Sequence, residues 1–263
     1  MSAPTPVSSL VHSSTLVTAG LVFFWSFSWL LSYSYFGVFL IVLRVLRLLC
    51  SGLLALFEVD AKKLVALSTL SQISFCLFSL SLGFREISFL HVLTHAFIKC
   101  GLFLQLGYLI YIQLGQQDSR SFFVSTSYLL SLTLFLSVFM LCGLLYISGG
   151  ITKELVLGGF FLSSSRLSFL IFVVFILSLT FFYSLRLLFF TCVLFSSYYY
   201  VSFRIFRIVS ILCLFPSLFL LYSLFLSAFF TSSFFFNVSF FILFFYLLFL
   251  FSVFFCFIFF FGH

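Results

Sequence analysis

"SFLHVLTHAFIKCGLFLQLGYLIYIQ", Ser88 to Gln113, contains no proline and no acidic residue, and is long enough as a helix to cross a membrane. It also carries His91, His95 and Lys99 at intervals of four residues. On a helix each step of four drifts only ~40° around the axis and climbs ~6 Å, so the three form one ladder from near the end of the span to near its middle. A charge at the centre of an isolated membrane helix costs ~3 kcal/mol on insertion scales. The ladder is therefore expected to look into a bundle of other helices rather than at lipid.

The rest of the chain has the same character: 64% of the 263 residues are hydrophobic, 6% are charged, and mean hydropathy is +1.38. Such a composition belongs in a bilayer. Barrel strands would be ~10 residues long and alternate polar with apolar positions, whereas "FSVFFCFIFFF" (251–261) is apolar on every face. The expected class is all-α, a polytopic membrane helix bundle of about eight transmembrane helices. The spans read as 8–31, 36–57, 63–82, 88–113, a pair at 123–147 and 151–163, then 168–195, 203–228 and 233–261. Short polar breaks separate them, among them "EVDAKK" (58–63), "GFRE" (83–86) and "GQQDSRS" (115–121).

Within 123–163 the run is interrupted by "ISGGITKE" (147–154), where Ser148, Gly149 and Gly150 loosen the backbone just before Lys153 and Glu154. Either an ordinary short turn joins two helices here, or one helix is broken. The second piece is too short to span by itself, which favours a broken helix with regular hydrogen bonding lost around 147–151. Unwound backbone at membrane depth is tolerated where it is buried in protein or lines a wet cavity.

The ladder's residue types suit proton transfer. Histidine titrates near neutral pH, and a lysine taken out of water gives up its proton more readily. Zinc is the poorer reading, because no HExxH and no carboxylate at ligand spacing accompanies the histidines. Haem is poorer still, because two histidines one turn apart on one helix cannot clamp it. A purely structural reading has the histidines satisfied by carbonyls and Lys99 snorkelling, from a depth that makes snorkelling difficult. Lys153 is the next candidate, against an interfacial lysine paired with Glu154. His12, flanked by hydroxyls near the beginning of a span, follows. Arg44 and Arg47 read as reaching toward an interface, and Arg186 as meeting a carboxylate or carbonyls.

A net charge of +7 spread along the whole length gives no basic stripe for nucleic acid. The seven cysteines lie singly, as buried reduced hydrophobes. There is no GxGxxG, no P-loop and no cysteine cluster for iron and sulfur, so no cofactor is expected on this chain and energy must arrive from partners.

"MSAPTPVSSLVHSSTLVTAGL" (1–21), "DAKKLVALSTLSQISF" (60–75), "SFLHVLTHAFIKCGLFLQLGYLI" (88–110), "GQQDSRSF" (115–122), "SGGITKELVL" (148–157) and "LTFFYSLRL" (179–187) occur in that order. In this the chain resembles the antiporter-like subunits of mitochondrial NADH:ubiquinone oxidoreductase, respiratory complex I, and within them the subunit 5 family. The resemblance covers residues 1 to about 190 and corresponds to a C-terminal portion of such a subunit. It implies two inverted five-helix repeats, each resembling half of a proton channel. Residues 1–31 would be the last helix of the first repeat, 32–197 the second antiporter-like repeat with its broken helix, and 198–263 C-terminal transmembrane helices; such subunits commonly carry a long lateral helix before a last anchor, but the stretch after Arg186 is too short for one beside two spans, so none is expected.

The resemblance implies proton-transfer roles for His12, between the repeats, for His91, His95 and Lys99 as the central relay, and for Lys153 on the broken helix, with Glu154 and Arg186 secondary. The expected partners are other membrane-arm subunits of complex I, the N-terminal half of the same subunit, and lipid. NADH, FMN, iron–sulfur clusters and ubiquinone would sit on partner subunits, and the location would be the mitochondrial inner membrane. The alternatives are a structural scaffold fragment of the membrane arm and a component of a free-standing multi-subunit cation/proton antiporter.

Overall fold

The computed structural model describes residues 11, 15–27, 34–119, 128–143, 148–162 and 167–192. They form seven α-helices: α1 (Leu16–Ser26), α2 (Ser34–Phe57), α3 (Ala61–Ser81), α4 (Arg85–Ile112), α5 (Tyr128–Cys142), α6 (Ser148–Leu162) and α7 (Leu167–Cys192). Among the described residues, Gly37–Phe57, Ala61–Ser81 and Arg85–Ile112 are long and apolar enough to cross a membrane. Leu132–Cys142 and Val173–Leu188 are shorter apolar helices. His12 and the spans expected at 203–228 and 233–261 lie outside the described residues.

α3 is the centre of the bundle. It packs against α1, α2, α4 and α7, and its span is 72% buried against 33% for that of α2. α2 turns Val42, Leu46, Leu54 and Phe57 outward, as a helix does when its other side is lipid or further protein. The core proper is aliphatic and aromatic, with Leu64, Leu102, Phe103, Leu134, Leu157 and Phe181 almost wholly enclosed.

The turn between α3 and α4 is short because Gly83 takes φ +92°, a left-handed conformation that glycine adopts without penalty. Phe84 N–H then donates to the Ser79 carbonyl (3.2 Å), closing the end of α3. At the opposite end, Ala61 N–H donates to Gln117 O and Ser119 N–H to Val59 O, each at 3.2 Å, so the two ends of this antiparallel pair are clipped together. Beside the clip, hydrogen bonding from Lys63 holds the Asp60 carboxyl below the usual carboxylate range, and a hydrogen bond with Asp118 adds to it.

The discontinuity differs from the sequence-based expectation. Regular helix ends at Cys142, Gly143 has φ +80°, and Ser148, Gly149 and Gly150 belong to the first turn of α6, so helical backbone is already lost at Gly143, ahead of the expected 147–151. The glycines serve proximity rather than loosening. A Cβ on Gly149 would collide with the Met140 carbonyl oxygen, and one on Gly150 with that of Gly143. The start of α6 therefore lies directly on the backbone that ends α5, and α4 packs against both halves. Over their described residues α5 and α6 are 15 residues each, ~22 Å.

Candidate functional site

α3 is an apolar helix interrupted by hydroxyls, and those hydroxyls turn back on their own helix. Ser68 donates to Val65 O (2.7 Å), Ser71 to Ser68 O (2.9 Å) and Ser74 to Leu70 O (2.8 Å). Each hydrogen is thereby used locally, and each oxygen keeps lone pairs for another donor. The bare oxygens of Ser68 and Ser71 are where groups from α4 and α7 arrive.

His91, His95 and Lys99 are all buried and face into the bundle. The Lys99 ammonium donates to Ser68 Oγ. The rings of His91 and His95 lie nearly parallel, 6.5 Å apart between centroids, and Phe75 stands edge-on to His91 at 5.1 Å. His91 is held at both nitrogens: Nδ1 is 2.6 Å from Thr152 Oγ1 on α6, and Nε2 is 3.1 Å from Gln72 Oε1 on α3. Gln72 in turn donates through Nε2 to Tyr183 Oη on α7 (2.7 Å), which lies 3.1 Å from Ser71 Oγ. One chain of polar contacts thus joins α3, α4, α6 and α7 through His91.

His95 Nε2 is enclosed and has no protein partner among the described residues. It borders a small cavity lined by Gln72, His91, Thr94, Met140, Gly149 and Lys153, among others, with room for about one water molecule. Lys153, also on the lining, is fully buried and donates to Leu141 O (3.1 Å), Cys142 O (3.2 Å) and Thr180 Oγ1 (3.3 Å). Those two carbonyls end α5, where a helix leaves acceptors unused and its dipole favours a cation. Lys153 is therefore held by the break, not by Glu154. Glu154 is half-buried. Arg186 is half-buried on α7, and Arg44 is buried, donating to Leu77 O (2.8 Å) rather than reaching an interface. No group of three or more His, Cys, Asp or Glu with metal-holding geometry occurs among the described residues.

Residues 1–180 match the family model described as NADH:quinone oxidoreductase/Mrp antiporter, TM. The chain belongs to this family. Family relatives include the NADH-ubiquinone oxidoreductase chain 5 of Ascaris suum, 45% identical over 189 residues that make up 71% of this chain and 35% of that one. The chain 5 of Caenorhabditis elegans is 43% identical over 189 residues, 71% of this chain and 36% of the relative. The chain thus spans about a third of the length of the curated relatives it matches. The fold is similar to chains in two solved assemblies. One is the Mrp complex from Dietzia sp. DQ12-45-1b, with TM-score 0.68, 22% identity, 82% of this chain and 25% of that one. The other is the membrane-bound sulfane sulfur reductase, an archaeal respiratory membrane complex, with TM-score 0.74, 21% identity, 90% of this chain and 48% of that one.

For this member of the antiporter family, sequence reasoning did not single out Gln72, Thr152, Tyr183 or Ser68 as parts of the site. A signal was present for two of them. Ser68, Gln72 and Ser79 share one face of α3 at helical spacing, a polar seam in an otherwise apolar helix.

Proposed function

We propose that this chain is a proton-conducting portion of the antiporter-like subunit 5 of respiratory complex I in the mitochondrial inner membrane. The observation that carries the proposal is the convergence, inside one bundle, of His91, His95 and Lys99 from a single helix face with Lys153 at a helix break. The two lysines are held by neutral oxygen acceptors, and His91, His95 and Lys153 line a water-sized cavity. Such groups can take up and release protons where no bulk water reaches, and intramembrane ionisable residues mark proton paths. Moving one proton against an illustrative ~150 mV costs about 3.5 kcal/mol. A row of His and Lys cannot supply that, so coupling comes from partner subunits that carry NADH, FMN, iron–sulfur clusters and ubiquinone. Other membrane-arm subunits and the N-terminal half of the subunit complete the path, with His12 handing protons between the halves and Glu154 and Arg186 in secondary roles.

The test is Lys99→Met in the assembled complex, with NADH oxidation and proton pumping measured together. Loss of pumping with normal assembly supports the relay, while undiminished pumping makes the chain a scaffold. The family model also covers Mrp antiporters, which keeps a free-standing cation/proton antiporter as the second reading. Co-purification with NADH dehydrogenase activity is required by the first reading and unexpected for the second.

A further inference from the structure

Among the described relay residues, His91 is the one whose two ring nitrogens both have protein partners, and those partners differ in kind. Tyr183 accepts from the Gln72 amide and is free to donate to Ser71 Oγ, because the hydrogen of Ser71 is already spent on Ser68 O. With its NH₂ turned toward Tyr183, Gln72 presents its carbonyl oxygen to His91. A carbonyl can only accept, so Nε2 must carry a hydrogen. Nδ1 is then the free nitrogen of the neutral ring, and Thr152 donates to it.

Thr152 Oγ1 has a second acceptor within reach, the carbonyl of Gly149 at 3.2 Å. When a protonated water in the cavity that His91 lines gives up a proton to Nδ1, an O–H bond of that ion breaks as the N–H bond forms, the new N–H donates to Thr152 Oγ1, and the hydroxyl hydrogen swings to Gly149 O. Every group of the imidazolium remains satisfied: Nε2–H on Gln72, Nδ1–H on Thr152, and Thr152 O–H on the backbone. One O–H bond of the donor water breaks, one N–H bond forms, one hydroxyl hydrogen rotates, and no side chain has to move. Loss of the proton from Nδ1 reverses the sequence.

We propose that Gln72, anchored by Tyr183, is a positioning residue that fixes the tautomer of His91, so that protons enter and leave at Nδ1, and that Thr152 is the two-position hydroxyl that passes this state to the first turn of α6. The inference rests on the relay reading. It adds which nitrogen works and which neutral residues make it do so. The groups facing His91 are His95 on its own helix, Gln72 and Phe75 from α3, Thr152 and Lys153 from α6, and Tyr183 from α7 by way of Gln72. Thr152 lies one turn after Gly149, whose carbonyl it can reach, and next to Lys153, which ties it to the break.

The experiment uses the intact complex labelled with nitrogen-15 histidine, with the His91 signals taken as the difference from His91→Gln. The expected wild-type spectrum has a protonated Nε2 and a bare Nδ1. Gln72→Leu and Tyr183→Phe are expected to give a mixture of both tautomers. In pumping, Thr152→Val should lose about tenfold, the worth of one hydrogen bond to a charged ring, while Thr152→Ser keeps the hydroxyl and stays within about twofold. Tyr183→Phe should add no further loss in a Gln72→Leu background, because Tyr183 reaches His91 only through Gln72.

A wild-type ring protonated at Nδ1, an unchanged single tautomer in Gln72→Leu, or undiminished pumping in assembled Thr152→Val would each overturn the proposal. If Thr152→Val does not assemble, the Tyr183→Phe spectrum decides. If Lys99→Met abolishes pumping while His91 is protonated at Nδ1, the relay stands and this inference falls. If Lys99→Met pumps normally, the relay itself falls whatever the tautomer.

Discussion

Lys99 depends on a single serine oxygen, and that dependence is measurable. Ser68→Ala removes the one acceptor described for a fully enclosed ammonium. A buried charged donor without a partner costs a few kcal/mol, so assembly or thermal stability of the complex should fall by about 1–3 kcal/mol. Adding Lys99→Met to Ser68→Ala should recover most of that stability while leaving pumping abolished. If the double variant is no more stable than the single, the serine is not there for the lysine. Of this site the ladder was legible in the sequence, because three ionisable groups every four residues stand out against a hydrocarbon background. Its supports were less so: Gln72 and Thr152 are neutral, and in a chain so rich in serine and threonine a side chain that orients a histidine looks no different from one that bonds its own helix.

At the scale of elements, the half-helices α5 and α6 owe their arrangement to three glycines. Gly150→Ala sets a methyl group against the Gly143 carbonyl, a backbone atom that cannot swing aside. The two halves must then part, and Lys153 loses the carbonyls of Leu141 and Cys142. We expect loss of the assembled complex on a native gel, or a destabilisation of several kcal/mol. Gly20→Ala in α1 is the control, since nothing lies within 4 Å of its added methyl and a helical Gly-to-Ala change gains up to ~1 kcal/mol. Equal damage from both would show that proximity is not the reason for the glycines. The position of the break escaped the sequence for the same reason. Consecutive glycines signal freedom when the chain is read along its length, and their use in close backbone approach depends on Met140 and Gly143, whose place in space the sequence does not state.

For the whole molecule, burial rather than polarity distinguishes the layers. Leu54 on the outer face of α2 and Leu64 inside α3 are the same residue type at 54% and 1% exposure. Leu64→Ala should cost about 2–5 kcal/mol and Leu54→Ala under about 0.5 kcal/mol, read from thermal denaturation of the purified complex. A large cost at Leu54 would reveal a tightly packed neighbour on that face. The inner layer also contains the back-bonded serines of α3, which have an electrical meaning. Ser68 solvates the Lys99 ammonium, yet its own hydrogen is tied to the Val65 carbonyl and leads nowhere further. A hydroxyl of that kind stabilises charge without forwarding it. It acts as insulation rather than as a conductor: on the proposed relay, a proton resting on Lys99 would meet no short circuit through the helix beside it.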